Sequence, residues 1–177
     1  MLTFEGMIHP DIALVPPFYR GYVDWVKDYD LFEILKKSNL EMLARVRSIP
    51  GNMGEHRYAP DKWSIKELLC HLLDAERVFA YRALRFARND HTALAGFEEK
   101  DYAHEANAHK REIAQIAEEM EHLRQSTIDL FKSFSPEMLS RKGIANGTEI
   151  SVVNTGFVIP GHETHHRHIL EQRYLTI

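Results

Sequence analysis

The chain has 177 residues, 44% of them apolar and 27% charged, with a net charge of −4. That is the composition of an ordinary soluble globular protein, long enough for one domain, 1–177, with a real core. The acidic balance and the lack of any basic block exclude a nucleic-acid-binding surface, and no apolar run is long enough to span a membrane.

The lone cysteine, Cys70, excludes an intramolecular disulfide. Met1 to Phe18 lack the charged-then-apolar pattern of a secretory signal, so a cytoplasmic setting is expected. Residues 1–25 read as an N-terminal arm, irregular to about residue 20 because Pro10, Pro16 and Pro17 break helices. Its aromatic residues Phe4, Phe18 and Tyr19 are expected to pack against the body.

A first long helix is predicted from Asp30 to Ser48, ended by Pro50-Gly51. Ser64 and Glu67 form a capping-box pattern that starts a second helix, to about Arg88, with Leu68, Leu72, Ala75 and Phe79 as its buried stripe. Residues 89–107 read as a long polar loop of the kind that forms lids or binding sites, and Asp101 and Tyr102 are candidates to face a site. A third helix is expected over 108–134, then a short helical turn at Ser135-Pro136-Glu137 and a loop over 141–149 centred on Asn146-Gly147. The fourth helix is predicted over 151–175, kinked or restarted at Pro160-Gly161. Four helices with little strand signal give an all-α four-helix bundle.

The chemistry concentrates in His162-Glu163-Thr164-His165-His166-Arg167-His168, which holds four of the eleven histidines. On a helix His162 and His166 share a face, and such a pair can hold one transition metal. His162 with His165, and His165 with His168, are alternatives that periodicity alone does not separate. The best third ligand is His71, on the flank of the second helix's buried stripe. Three histidines with an open position describe a catalytic rather than a structural metal site. Imidazole suits zinc, nickel or iron, and the undiminished charge of such a divalent metal would activate a bound thiol or water. Glu67 and Asp74, four before and three after His71, are the candidate general bases or outer partners of the ligands. Cys70 points away from this face and reads as a surface or interface residue. Ligand histidines must be neutral, so metal affinity is expected to fall with pH through the histidine range.

Two stretches, Lys62-Trp63-Ser64-Ile65-Lys66-Glu67-Leu68-Leu69-Cys70-His71-Leu72 and Gly161-His162-Glu163-Thr164-His165-His166-Arg167-His168-Ile169-Leu170, together resemble the DinB/YfiT-like superfamily of metal-dependent enzymes. Gly96-Phe97-Glu98-Glu99-Lys100-Asp101-Tyr102 is similar to that family's mid-chain loop, and the resemblance spans roughly residues 30–175. It implies a bundle of the DinB/YfiT-like type, commonly a homodimer, with the metal on His71, His162 and His166 and with His165 as a neighbour. Relatives include thiol-dependent transferases and isomerases that use bacillithiol or mycothiol. The resemblance therefore favours S-transfer from a low-molecular-weight thiol to a small-molecule substrate. A metal-dependent hydrolase, or a non-catalytic metal- or ligand-binding stress protein, is the alternative.

Overall fold

Asp30 opens the first long helix by accepting hydrogen bonds from the N–H groups of Phe32 and Glu33, and the helix α2 then runs Leu31–Arg47. It is preceded by a short helix, α1 (Pro17–Asp24), and followed by α3 (Ile65–Ala87), α4 (Glu99–Glu105), α5 (Ile113–Lys132), α6 (Pro136–Ser140), a hairpin β1 (Lys142–Ala145) and β2 (Thr148–Ser151), and α7 (Val152–Ile169). A computed structural model describes residues 7–176. Helices α2, α3, α5 and α7 form an all-α four-helix bundle, and among the described residues no helix is long and apolar enough to cross a membrane.

The core is divided in two. One apolar cluster gathers Leu31 and Leu35, Phe79 to Ala87, Ile128 to Phe134 and Val152 to Ile159. The other gathers Met42 to Val46, Ile65 to Leu73, Ile113 to Met120 and Leu170. Each long helix passes from one cluster to the other at buried polar residues: Ser38 and Asn39 on α2, His71 and Glu76 on α3, Arg124 on α5, His162 and Glu163 on α7. A polar layer therefore crosses the middle of the bundle, built from one or two buried polar residues on each long helix.

Several sequence expectations change here. The arm is not irregular throughout, because Pro17 occupies the first turn of α1, where its missing N–H has no helical partner to lose. Asn154 fastens the arm to α7 by pairing both ways with the backbone of Asp11, at 3.0 and 3.1 Å. Tyr19 packs edge-on against Phe79 at 5.8 Å, whereas Phe18 is largely exposed; Phe4 lies outside the described residues. The loop over 89–107 contains α4. The third helix begins at Ile113 rather than 108, behind a capping box of Glu112 and Gln115. The loop over 141–149 is the β1–β2 hairpin, with Asn146 and Gly147 both at positive φ in the turn, as a tight hairpin demands.

The largest correction concerns Pro160. Helix α7 runs through it unbroken, and nearly every residue from Val152 to Thr164 is buried. Proline removes one ladder bond, but burial on several sides holds the helix together. Gly161 has a separate reason: a Cβ there would lie 2.3 Å from the backbone oxygen of Tyr22, so α1 seats directly on α7 at this position.

Candidate metal centre

Because α7 is continuous, His162 and His166 stay on one face, and that face meets His71 on α3. One ring nitrogen from each of the three lies within 4.8 Å of the others. The Nε2 atoms of His71 and His162 are 3.1 Å apart. Two imidazole nitrogens about 2.0–2.1 Å from one divalent transition metal stand at this separation when their angle at the metal is roughly 100°. His71 and His162 are buried, and Nδ1 of the half-buried His166 is sealed from solvent with no hydrogen-bond partner. Burial drives the His71 ring down to about 4. Burial and the neighbouring His71 and His165 rings drive His166 to about 3. His162 is held well below its ordinary value by burial and then by the three imidazoles around it. The rings therefore present lone pairs, not positive charge, near neutrality. Converging neutral nitrogens and an orphaned buried atom are what a divalent transition metal fits.

Aromatic rings enclose the cluster. Trp63 lies over His71 with centroids 4.7 Å apart. Its own carbonyl accepts a 2.7 Å hydrogen bond from the Tyr174 hydroxyl, so the chain after α7 fixes the loop before α3. Tyr22 on α1 meets the edges of His162 and His165, both at 5.2 Å. His165 thus packs beside the triad without joining it, and His168 meets Trp25 edge-to-face at 4.5 Å.

Beneath the triad sits a buried ion cluster. Arg124, 2% exposed, forms a fork with both Glu76 oxygens at 2.9 and 2.8 Å. It also donates to Glu163, to Ser38 and to the Leu35 carbonyl, at 3.0, 3.0 and 2.7 Å. Asn39 completes the cluster with a bond to the other Glu163 oxygen at 3.3 Å. Glu163 and His162 are adjacent in sequence, so the ion cluster sets the rotation of α7 that aims His162.

Two openings border the triad, one at His166 and one at His162. The larger, a groove of about 660 Å³, has His166 and Trp63 in its wall together with Arg57, Lys62, Lys100 and His104. The smaller, a cavity of about 60 Å³, has His162 in its wall beneath Tyr22, Phe79 and Phe97, with Arg82 and Glu99 at its sides. Helix α4 separates them, presenting Glu99 to the cavity and Lys100 to the groove. Burial raises the Glu99 carboxyl above its ordinary value, and Glu98 adds to the shift.

Of the two carboxylates singled out by sequence, Glu67 lines the larger groove but is committed to a helix cap and an ion pair, and Asp74 faces away. Glu67 closes the capping box with the Ser64 N–H at 2.7 Å and pairs with Arg57 at 2.7 Å. Burial alone would raise its carboxyl, but the bonds from Arg57 and Ser64 outweigh it and hold the group below its ordinary value. Asp74 turns toward Arg77, 3.6 Å away, and lines neither opening. Of the loop candidates, Tyr102 packs on Phe97 at 5.0 Å, while the neighbours Glu99 and Lys100, rather than Asp101, line the openings. Cys70 is buried, 3% exposed, against Arg111 on the α5 side, which corrects its reading as a surface residue.

Sequence spacing did not single out Arg82 or Glu99. For Arg82 a signal existed: His71, Ala75, Phe79 and Arg82 recur at helical intervals along one face of α3. For Glu99 none did, since the placement of α4 over the site is purely tertiary.

The DinB superfamily profile matches residues 35–170. Among solved structures, the fold is similar to YfiT from Bacillus subtilis, described as a probable metal-dependent hydrolase with an unusual four-helix bundle topology. That match has a TM-score of 0.71 at 15% identity and covers 80% of this chain and 82% of that one. It is also similar to a mycothiol-dependent maleylpyruvate isomerase, with a TM-score of 0.62 at 12% identity, covering 77% of this chain but only 57% of that one. No curated protein matches the sequence.

Proposed function

The chain belongs to the DinB superfamily, and on that basis we propose that it is a divalent-metal-dependent enzyme that transfers the sulfur of a low-molecular-weight thiol to a small electrophilic substrate. The observation that carries this reading is the pair of openings on one triad: His166 borders a wide groove and His162 a small cavity. Two organic reactants need two approaches to one centre, whereas hydrolysis needs one and a water.

Zinc, nickel or iron held by His71, His162 and His166 would supply the Lewis acidity that lowers the pKa of a thiol. The chain's own groups do the rest. Lys100, Lys62 and His104 give the groove donors for a thiol's carboxylates, and Trp63 gives it an apolar wall. Glu99, with its carboxyl raised by burial, receives the thiol proton as the S–C bond forms. It gives that proton up to solvent once the leaving group has departed as an anion. Tyr22, Phe79 and Phe97 keep water from the smaller cavity, so the thiol sulfur rather than water meets the electrophile. A homodimer and a cytoplasmic setting belong to the same reading and rest on the family resemblance and the single reduced cysteine.

A second reading, metal-dependent hydrolysis, is favoured by the likeness to YfiT, a probable metal-dependent hydrolase. The test is metal content by elemental mass spectrometry on the wild type and on His166→Ala, followed by thiol-consumption assays with an aryl halide. About one equivalent of metal lost in the variant, with turnover that requires both thiol and metal, is the expected result. Turnover of an ester without any thiol would favour hydrolysis, and absence of metal after reconstitution would remove both readings.

A further inference from the structure

We infer that the small cavity beside His162 is an anion pocket in which Arg82 receives the carboxylate of the substrate. This deepens the metalloenzyme reading by naming a substrate class, and rests on it for the metal's part but not for the binding itself.

Arg82 is 5% exposed, yet it has no carboxylate partner among the described residues. Its one hydrogen bond among the described residues runs from Nη2 to the Ala95 carbonyl at 3.2 Å, and its guanidinium lies 5.7 Å from the centre of the Phe79 ring. A guanidinium carries five N–H donors and stays charged, so burial with a single neutral acceptor leaves most of its capacity unused. A buried charge is normally paired. The contrast with Arg124, on the neighbouring helix and bonded at every side, shows that this bundle supplies partners where the charge is structural. The free edge of Arg82 borders the cavity that reaches His162.

The other walls fix the character of the ligand. Tyr19, Tyr22, Phe79 and Phe97 accept an apolar or aromatic body, and Phe18, 72% exposed, stands at the mouth where a longer molecule would leave. A volume of about 60 Å³ admits about four water-sized groups. That suits a carboxylate and the carbons next to it. Glu99 lines the same cavity without pairing to Arg82, so the pocket holds one group to fix an anion and one to move a proton. The class is a small carboxylic acid with an apolar body and its reactive carbon close to the carboxylate.

The probe is benzoate, compared with its neutral analogue benzamide, titrated into isotope-labelled protein and followed by NMR at the Arg82 Nε–H and the backbone amides. Metal-free protein is used first, then zinc-loaded protein. Benzoate is expected to shift the Arg82 signal saturably and to bind at least about tenfold tighter than benzamide, the discrimination of a charge-assisted fork. Arg82→Met, which keeps the packing on Phe79, is expected to abolish that preference, and Arg82→Lys to keep part of it. Glu99→Gln removes the pocket's own negative charge and is expected to tighten benzoate binding. Equal binding of benzoate and benzamide to the wild type, which needs no variant to fold, would overturn the proposal. So would undiminished benzoate binding in Arg82→Met. Failure of zinc to bind would sink the metal reading while leaving the metal-free titration to decide the anion pocket.

Discussion

Two buried polar clusters meet at adjacent residues of α7: Glu163 belongs to one and His162 to the other. Around Arg124 every charge has its partner, with two carboxylates, a hydroxyl and a carbonyl arranged about a single guanidinium. Around the histidines the polar atoms converge on each other, and one is left with nothing. Helices α3 and α7 contribute to both. The satisfied cluster holds the bundle's register; the unsatisfied one is shaped for something the chain does not provide. Removing a residue from each should therefore have opposite consequences.

The largest effect is expected from Arg124→Met, which strands two buried carboxylates. It should cost about 3–5 kcal/mol of stability, the penalty for breaking a buried pair from one side, read from urea unfolding. A loss under about 1 kcal/mol would mean that the cluster is not structural. His71→Ala should do the reverse. Metal is lost, while metal-free stability changes by less than about 2 kcal/mol, since the ring has no strong partner to abandon. Retention of a full metal equivalent in His71→Ala would remove it from the ligand set.

An intermediate effect is expected from pH. His71 and His166 have folded-state values of about 4 and about 3, below the ordinary 6.5. Between 6.5 and about 4 the unfolded chain binds more protons, so the stability of the metal-free protein is complete above 6.5 and declines as pH falls through that window. The triad is already neutral in the folded state, so protons compete with metal only near the bottom of the same window. Metal affinity should then stay nearly level from pH 8 to about 5, instead of falling through the usual histidine range. Titration calorimetry across that range checks this, and a steep fall between 7 and 6 would show that the rings are not desolvated.

The most local effect is expected from Asn154→Ala, which frees the arm from α7 at a cost of about 1–3 kcal/mol. Hydrogen exchange should quicken in α1 with little change in α3 or α5. Uniform quickening would show that the arm is part of the cooperative core.

Much of the bundle was legible from the sequence, because its four long helices carry apolar stripes and the Ser64–Glu67 cap marks one start without ambiguity. The histidine trio was legible in part: helical spacing offered several pairings, and the resemblance to known relatives chose the one the fold brings together. What escaped were effects of packing over long range. Pro160 reads as a break, yet a buried helix runs through it. Pro16-Pro17 reads as an irregular arm, yet Pro17 begins a helix. Asp74 lies on the expected helix but faces Arg77, and Glu99 reaches the cavity only because α4 folds back over α3.

The contact of Gly161 with the Tyr22 carbonyl has a consequence for how such a protein can diversify. Residues 35–170 carry the region shared with relatives, including all three histidines and the buried arginine cluster. Phe18, Tyr19 and Tyr22, which wall the small cavity, lie before it. The segment that shapes what enters thus lies outside the shared region, seated on α7 at Gly161 and fastened there by Asn154. A new arm could change selectivity without touching the metal-binding layer, and a protein trimmed to the shared region would keep its histidines but lose a wall of its pocket.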